Sequence, residues 1–214
     1  MITLPLKTKR LIRIIANSIL LAFSIAGPLW YYIFLFNSGL VNNPVSHAYF
    51  TVWSNIVMII SSATSLVFNI KVYRNPDYKV PVIVCGFKFS STNAVFLTFL
   101  TTVVYLAPTV SNPVEVLFTD YNIFMHLVTP ITAILIFVLL EHEIKYPWWG
   151  SFTGLIQVII YGTHYMIRVL IFHQYKYDVY TFVSSYNQVS QTYDVHLERA
   201  PLAIFIMLTG AYLL

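Results

Sequence analysis

Five apolar runs at nearly even spacing restrict this chain more than any other feature. They cover residues 14–36, 49–70, 89–108, 121–140 and 152–172. Each reaches the roughly 20 residues that carry a helix across a hydrocarbon core about 30 Å thick. A sixth run, 200–214, is shorter. At about 1.5 Å per residue it covers roughly 22 Å, so it ends in the headgroup region, is completed by residues 195–199, or belongs to a longer chain. The pattern predicts an all-α, polytopic transmembrane bundle of six spans, forming one integral membrane domain over residues 1–214. A soluble domain is excluded because 58% of the residues are hydrophobic and only 9% are charged. No stretch keeps the period-2 alternation of a membrane barrel. Gly27-Pro28, Pro130, Gly154 and Gly162 interrupt the runs, which bundles accept when neighbouring helices satisfy the freed backbone groups.

A basic stretch, Lys7, Lys9, Arg10 and Arg13, precedes the first run. That run is too long for the 7 to 15 apolar residues of a secretory leader, so it is read as a retained span. Counted by connection, nine Lys and Arg residues fall on one side and two on the other, with Arg168 alone inside a span. The bias predicts that both termini face the cytoplasm, and the Lys and Tyr usage and the lack of sorting signals point to a bacterial plasma membrane. The net charge of +4 then needs no nucleic-acid partner. The single cysteine, Cys85, is placed in a basic loop with Lys88, and it excludes a disulfide framework. "EHEIK" brings Glu141, His142 and Glu143 together, but neighbouring positions diverge around a helix and are solvated at the interface, so no metal is expected. No phosphate-cradling glycine loop or nucleotide fingerprint occurs, and no cofactor is expected. "KYPWWG" reads as an interfacial anchor, and "RNPDYKVP" as a turn. The long connection 174–199 is rich in tyrosine (Tyr175, Tyr177, Tyr180, Tyr186 and Tyr193) and suits a cap over one end of the bundle.

Three spans carry polar stripes. Thr51, Ser54, Asn55 and Met58 fall at i, i+3, i+4 and i+7; Asn122, His126, Thr129 and Pro130 share one helix face; so do Tyr161, His164, Tyr165 and Arg168. Given the predicted orientation, Thr51 lies roughly 3 Å, Arg168 about 6 Å, His126 roughly 7 Å and His164 about 12 Å below the outer helix ends. Ionisable groups at such depth are functional-site candidates. The simplest arrangement turns all three stripes toward one cavity that opens to the outer leaflet.

"YFTVWSN", followed about 75 residues later by "NIFMHLVTPI", resembles the androgen-induced and androgen-dependent membrane hydrolases that regulate tissue factor pathway inhibitor, together with related bacterial six-helix membrane proteins. These motifs cover under a tenth of the chain. The resemblance implies a multi-span fold that cleaves fatty acid esters of hydroxy fatty acids with an intramembrane threonine and histidine, which fall here on Thr51 and His126. It implies membrane lipids or a lipid ester as the partner.

The chemistry can be stated independently. A threonine hydroxyl attacks a carbonyl only when a base takes its proton, and a neutral histidine is the usual base. No acid stands near His126 to orient it, which leaves Asn122 or a carbonyl for that task. Asn55 is the candidate oxyanion donor and Ser54 a weaker one, while Arg168 could pair with a carboxylate or phosphate. Each residue also has a plain structural reading. Thr51 and Ser54 serve as glue between helices, His126 and His164 as packed histidines, and Arg168 as a snorkelling cation. Lipid-ester hydrolysis, acyl transfer, and non-catalytic lipid binding or small-solute transport all remain open. Transport is disfavoured because Gly27-Pro28 has no counterpart at the matching place in the second half.

Overall fold

A computed structural model of the chain describes residues 5–109, 112–141, 148–178, 182–187 and 190–213. The helices are α1 (Leu6–Asn37), α2 (Phe50–Arg74), α3 (Val82–Leu100), a single turn α4 (Ala107–Thr109), the short α5 (Pro113–Phe118), α6 (Thr129–Leu140), α7 (Ile156–Met166) and α8 (Ala200–Leu213). Three π-helical segments extend them: π1 (Thr101–Leu106) follows α3, π2 (Ile123–Val128) leads into α6, and π3 (Ile167–Ile171) follows α7. A hairpin of β1 (Ser184–Asn187) and β2 (Thr192–Val195) stands between π3 and α8.

Five helices are long and apolar enough to cross a membrane: Leu6–Asn37, Phe50–Arg74, Val82–Val104, Ile123–Leu140 and Phe152–Ile171. The chain therefore has the build of a multi-pass membrane protein. At 14 residues, α8 is only about 21 Å long and does not reach across a core of about 30 Å unaided.

The bundle is inverted relative to a soluble protein. Ile19, Ile33, Val67, Leu139 and Ile160 lie on its outside, whereas Asn17, Ser24, Ser54, Asn55, Ser62, Ser91 and Thr129 are buried. In hydrocarbon, large apolar side chains gain nothing by turning inward, and small polar ones let helices approach and bond one another. α3 is the most enclosed of the spans, packed among α2, α6 and α7, with Ser90, Ser91, Thr92, Asn93, Thr98 and Thr102 all buried along it and its π extension. Close approach is visible at Gly27, where a Cβ would sit 2.7 Å from Met125 Cγ, and at Gly154, where it would sit 2.8 Å from Asn93 Nδ2.

Two of the apolar runs continue further than composition suggests. α1 starts at Leu6, so Lys7, Lys9, Arg10 and Arg13 lie on its first turns rather than in a tail. α3 starts at Val82, which places Lys88 and Cys85 inside a buried helix and not in a loop. A lysine ordinarily marks the edge of a span. Here Lys88 Nζ donates to Asn17 Oδ1 at 3.0 Å, and Asn17 Nδ2 donates to Glu141 Oε1 at 3.1 Å, so the ammonium is retained inside by a partner chain of hydrogen bonds. Glu141 is correspondingly buried, not solvated. His142, Glu143, Lys145 and Pro147, which complete the "EHEIK" and "KYPWWG" stretches, lie outside the described residues.

The turn in "RNPDYKVP" forms as read: Asn75 Oδ1 accepts from the Asp77 N–H at 3.1 Å. The connection between α1 and α2 is held down by Tyr31, whose Oη donates to the Ser46 carbonyl at 2.6 Å, and by Tyr161, whose Oη donates to the Ala48 carbonyl at 2.7 Å. Those two bonds set the start of α2, and with it Thr51.

Candidate functional site

Proline chemistry builds the first half of the site. Pro130 has no N–H, and the Thr129 N–H bonds the Phe124 carbonyl, five residues back. The Met125 carbonyl consequently loses both its α-type partner, the Thr129 N–H, and its π-type partner at position 130. Asn55 of α2 fills the vacancy. Its Nδ2 donates to the Met125 carbonyl at 3.3 Å and to the Thr51 carbonyl at 2.9 Å. One amide thereby joins the Thr51 turn of α2 to the His126 turn of π2.

This geometry corrects the role first assigned to Asn55. Both of its amide protons are committed, so it has none for an oxyanion; what remains is Oδ1, a fully buried acceptor with no partner among the described residues. Ser54 is committed as well, since its Oγ contacts the Thr51 carbonyl and Thr98 Oγ1, both at 3.1 Å. Thr51 is buried, and among the described residues its hydroxyl makes no hydrogen bond.

His126 finds its partner in π1. Its Nδ1 lies 2.8 Å from Thr102 Oγ1 in π1, rather than against Asn122, whose side chain makes no hydrogen bond among the described residues. Pro108 stands six residues after Thr102 as Pro130 stands four after His126, and each proline follows a π segment. His126 retains some exposed surface. Its Nε2 has no hydrogen bond among the described residues and is not among the sealed polar atoms. Thr102 could have been flagged from sequence by its place in Thr98-x-x-x-Thr102, one turn apart on a single face.

The third stripe divides: Tyr161 reaches the start of α2, where its Oη donates to the Ala48 carbonyl and its ring lies 5.0 Å from that of Phe50, whereas His164 and Arg168 do not. Tyr161 and Tyr165 are buried, His164 is exposed, and Arg168 is half-buried with its guanidinium 4.4 Å from the Tyr177 ring centre. The expectation of one cavity shared by Thr51, His126, His164 and Arg168 is therefore replaced by a cluster of α2, α3, π1 and π2 residues.

A separate feature occupies the α7 side, an apolar cavity of about 350 Å³ lined by Ile159, Met166, Leu170, Phe182, Ile204 and Leu208 among others. Its cover is tied down by Asp178. The carboxylate accepts from Tyr165 Oη at 2.8 Å, from the N–H groups of Phe182, Val183 and Ser184 at 3.0, 2.9 and 2.7 Å, and from Ser184 Oγ at 2.9 Å. The hairpin beyond it pairs Tyr186 with Tyr193, ring centres 5.2 Å apart. Tyr180 of the tyrosine-rich connection lies outside the described residues.

Compared with known protein families, curated proteins and solved structures, the chain matches none.

Proposed function

We propose that the protein is an intramembrane hydrolase of lipid esters, such as fatty acid esters of hydroxy fatty acids, with Thr51 as nucleophile and His126 as base. One observation carries the reading: His126 has one ring nitrogen bonded to Thr102 and the other without a hydrogen bond among the described residues, on the turn that Asn55 joins to Thr51. Thr51 Oγ attacks the ester carbonyl as its proton passes to Nε2. The adduct then loses the alcohol, which takes that proton, and leaves an acyl-threonine. Water repeats the sequence, releasing the acid and restoring Thr51. Acyl transfer differs only in the acceptor, an alcohol in place of water.

The same reading has six spans, with α8 lengthened by the 3-10 turn Leu197–Arg199. Both termini are cytoplasmic in a bacterial plasma membrane. With Lys88 withdrawn from the loop count, the Lys and Arg bias still favours that orientation. Arg168 and His164 stand apart from the reaction and serve at the headgroup level.

The test is hydrolysis of hydroxy fatty acid esters and p-nitrophenyl acyl esters by the purified protein in detergent, comparing wild type with Thr51→Ala and His126→Ala. Turnover lost in both folded variants supports the reading. Turnover absent from wild type, or surviving both changes, overturns it. The apolar cavity beside α7 favours a second reading, non-catalytic lipid binding, in which a fluorescent lipid is retained without turnover.

A further inference from the structure

The hydroxyls of Ser54, Thr98 and Thr102 have three protons for five contacts, so at least one contact lacks a hydroxyl proton, and the helical back-bonds indicate which. Thr98 Oγ1 donates to the Ala94 carbonyl at 3.1 Å, and Thr102 Oγ1 donates to the Thr98 carbonyl at 2.9 Å. Both are back-bonds of the kind that threonine makes inside a helix. A carbonyl can only accept, and a threonine has a single proton. With that proton spent on Thr98, the 2.8 Å contact between Thr102 Oγ1 and His126 Nδ1 contains a proton only if the imidazole supplies it. The reverse assignment, Thr102 donating to a bare Nδ1, gives up the back-bond to the Thr98 carbonyl at 2.9 Å and leaves a second proton-free oxygen pair beside that of Ser54 and Thr98 at 3.1 Å, so the count favours the Nδ1–H form.

We infer that Thr102 is a positioning residue: it accepts Nδ1–H and thereby fixes neutral His126 as the tautomer whose Nε2 lone pair is open. This is the orienting group that the sequence lacks in acidic form, supplied by a hydroxyl whose own direction is set by the Thr98 carbonyl. A second histidine nitrogen held by a hydrogen bond is the usual means of choosing a tautomer. The arrangement also fixes the ring plane, because Thr102 is 1% exposed and its χ1 is restricted by β-branching. The consequence for catalysis rests on the proposed function; the tautomer itself does not.

The experiment is nitrogen-15 NMR of histidine-labelled protein in nanodiscs near neutral pH, with His126→Gln used to assign the ring among the six histidines. Wild type is expected to show a protonated Nδ1 and a non-protonated Nε2. Thr102→Val should move the population toward the Nε2–H form, and Thr102→Ser should restore the wild-type pattern. An Nε2–H tautomer in wild type overturns the inference, as does an Nδ1–H form unaffected by Thr102→Val. The wild-type spectrum alone decides the matter if the valine variant does not fold. In the ester assay, Thr102→Val is expected to lower kcat about 10²-fold with KM little changed, and Thr102→Ser to keep most of the rate. Wild type without turnover sinks the hydrolase reading and leaves the tautomer result standing, so the two failures are separable.

Discussion

Lys88, Asn17 and Glu141 form a bridge whose strength can be measured by a double-mutant cycle. All three are buried, at 3%, 0% and 6% exposure, and the Asn17 amide stands between the two charges. Glu141 also ends α6, where the helix dipole disfavours a carboxylate, so another interaction must hold it there. Across one intervening amide the charges lie roughly 7 Å apart, and at an effective dielectric of about 20 their attraction is roughly 2.4 kcal/mol. Lys88→Met strands the carboxylate and Glu141→Gln strands the ammonium, each at a cost of roughly 3–5 kcal/mol. The double variant strands neither, so it should cost less than the sum of the singles by about 1–3 kcal/mol. Asn17→Leu removes the bridge but keeps both charges, and should cost as much as either single. Unfolding by SDS titration in mild detergent, followed by circular dichroism, reads all four. Additivity of the two singles to within about 0.5 kcal/mol would refute the bridge.

Gly27→Val should lower stability by roughly 1–3 kcal/mol through overpacking against Met125 and Phe124, whereas Gly162→Ala, with nothing within 4 Å of its Cβ, should not; equal effects on thermal unfolding would contradict the close approach. Asp178→Asn turns an amide toward donors that now share Oδ2, so hydrogen exchange over residues 182–187 should accelerate while α1 and α2 stay unchanged. The Glu198 carboxyl is held below its ordinary value, first by a hydrogen bond to its own backbone and then by His196 at 3.2 Å. Its folded pKa is depressed, so its contribution is present above the ordinary carboxyl value and disappears as pH falls through the folded one; a proton-carbon NMR titration showing no downward shift would refute this. Asn55→Leu should cost about 1–3 kcal/mol by stranding the Met125 carbonyl, and should cost less in a Pro130→Ala background, where an α register returns the Thr129 N–H to that carbonyl; an equal cost in both backgrounds would sink the explanation of π2.

Much of the fold was legible because hydrocarbon demands long apolar helices, and residues 14–36 or 121–140 have few other uses. The edges were less legible. Lys88 and Glu141 resemble span boundaries until Asn17, far away in sequence, is known to stand between them. The site divided in the same way. Thr51, Ser54, Asn55 and His126 do gather on adjoining helices, since helical spacing places them on single faces. The partner of His126 was not legible, because α3 displays many buried serines and threonines and only the packing of π1 on π2 selects Thr102. His164 and Arg168 share the spacing of Tyr161 and Tyr165 yet diverge from them, because a stripe four residues wide spans both the inner and the lipid-facing side of α7.

The three π segments connect these observations. Thr102, His126 and Arg168, the chemically capable groups of three different spans, each lie in one, and such wide turns are frequent at functional sites. For two of them the cause is a proline that withholds an N–H: Pro108 after π1 and Pro130 after π2. The third ends α7 beside His173, whose φ of +51° closes the helix. A withheld N–H leaves a carbonyl in need of a donor, and at Met125 that donor is Asn55, which is how the Thr51 turn of α2 comes to be registered against the His126 turn of π2. The Thr51 and His126 turns are thus joined through Asn55 and Pro130, and changes at Pro108, Pro130 or Asn55 should alter the hydrogen bonding of His126 without touching its ring.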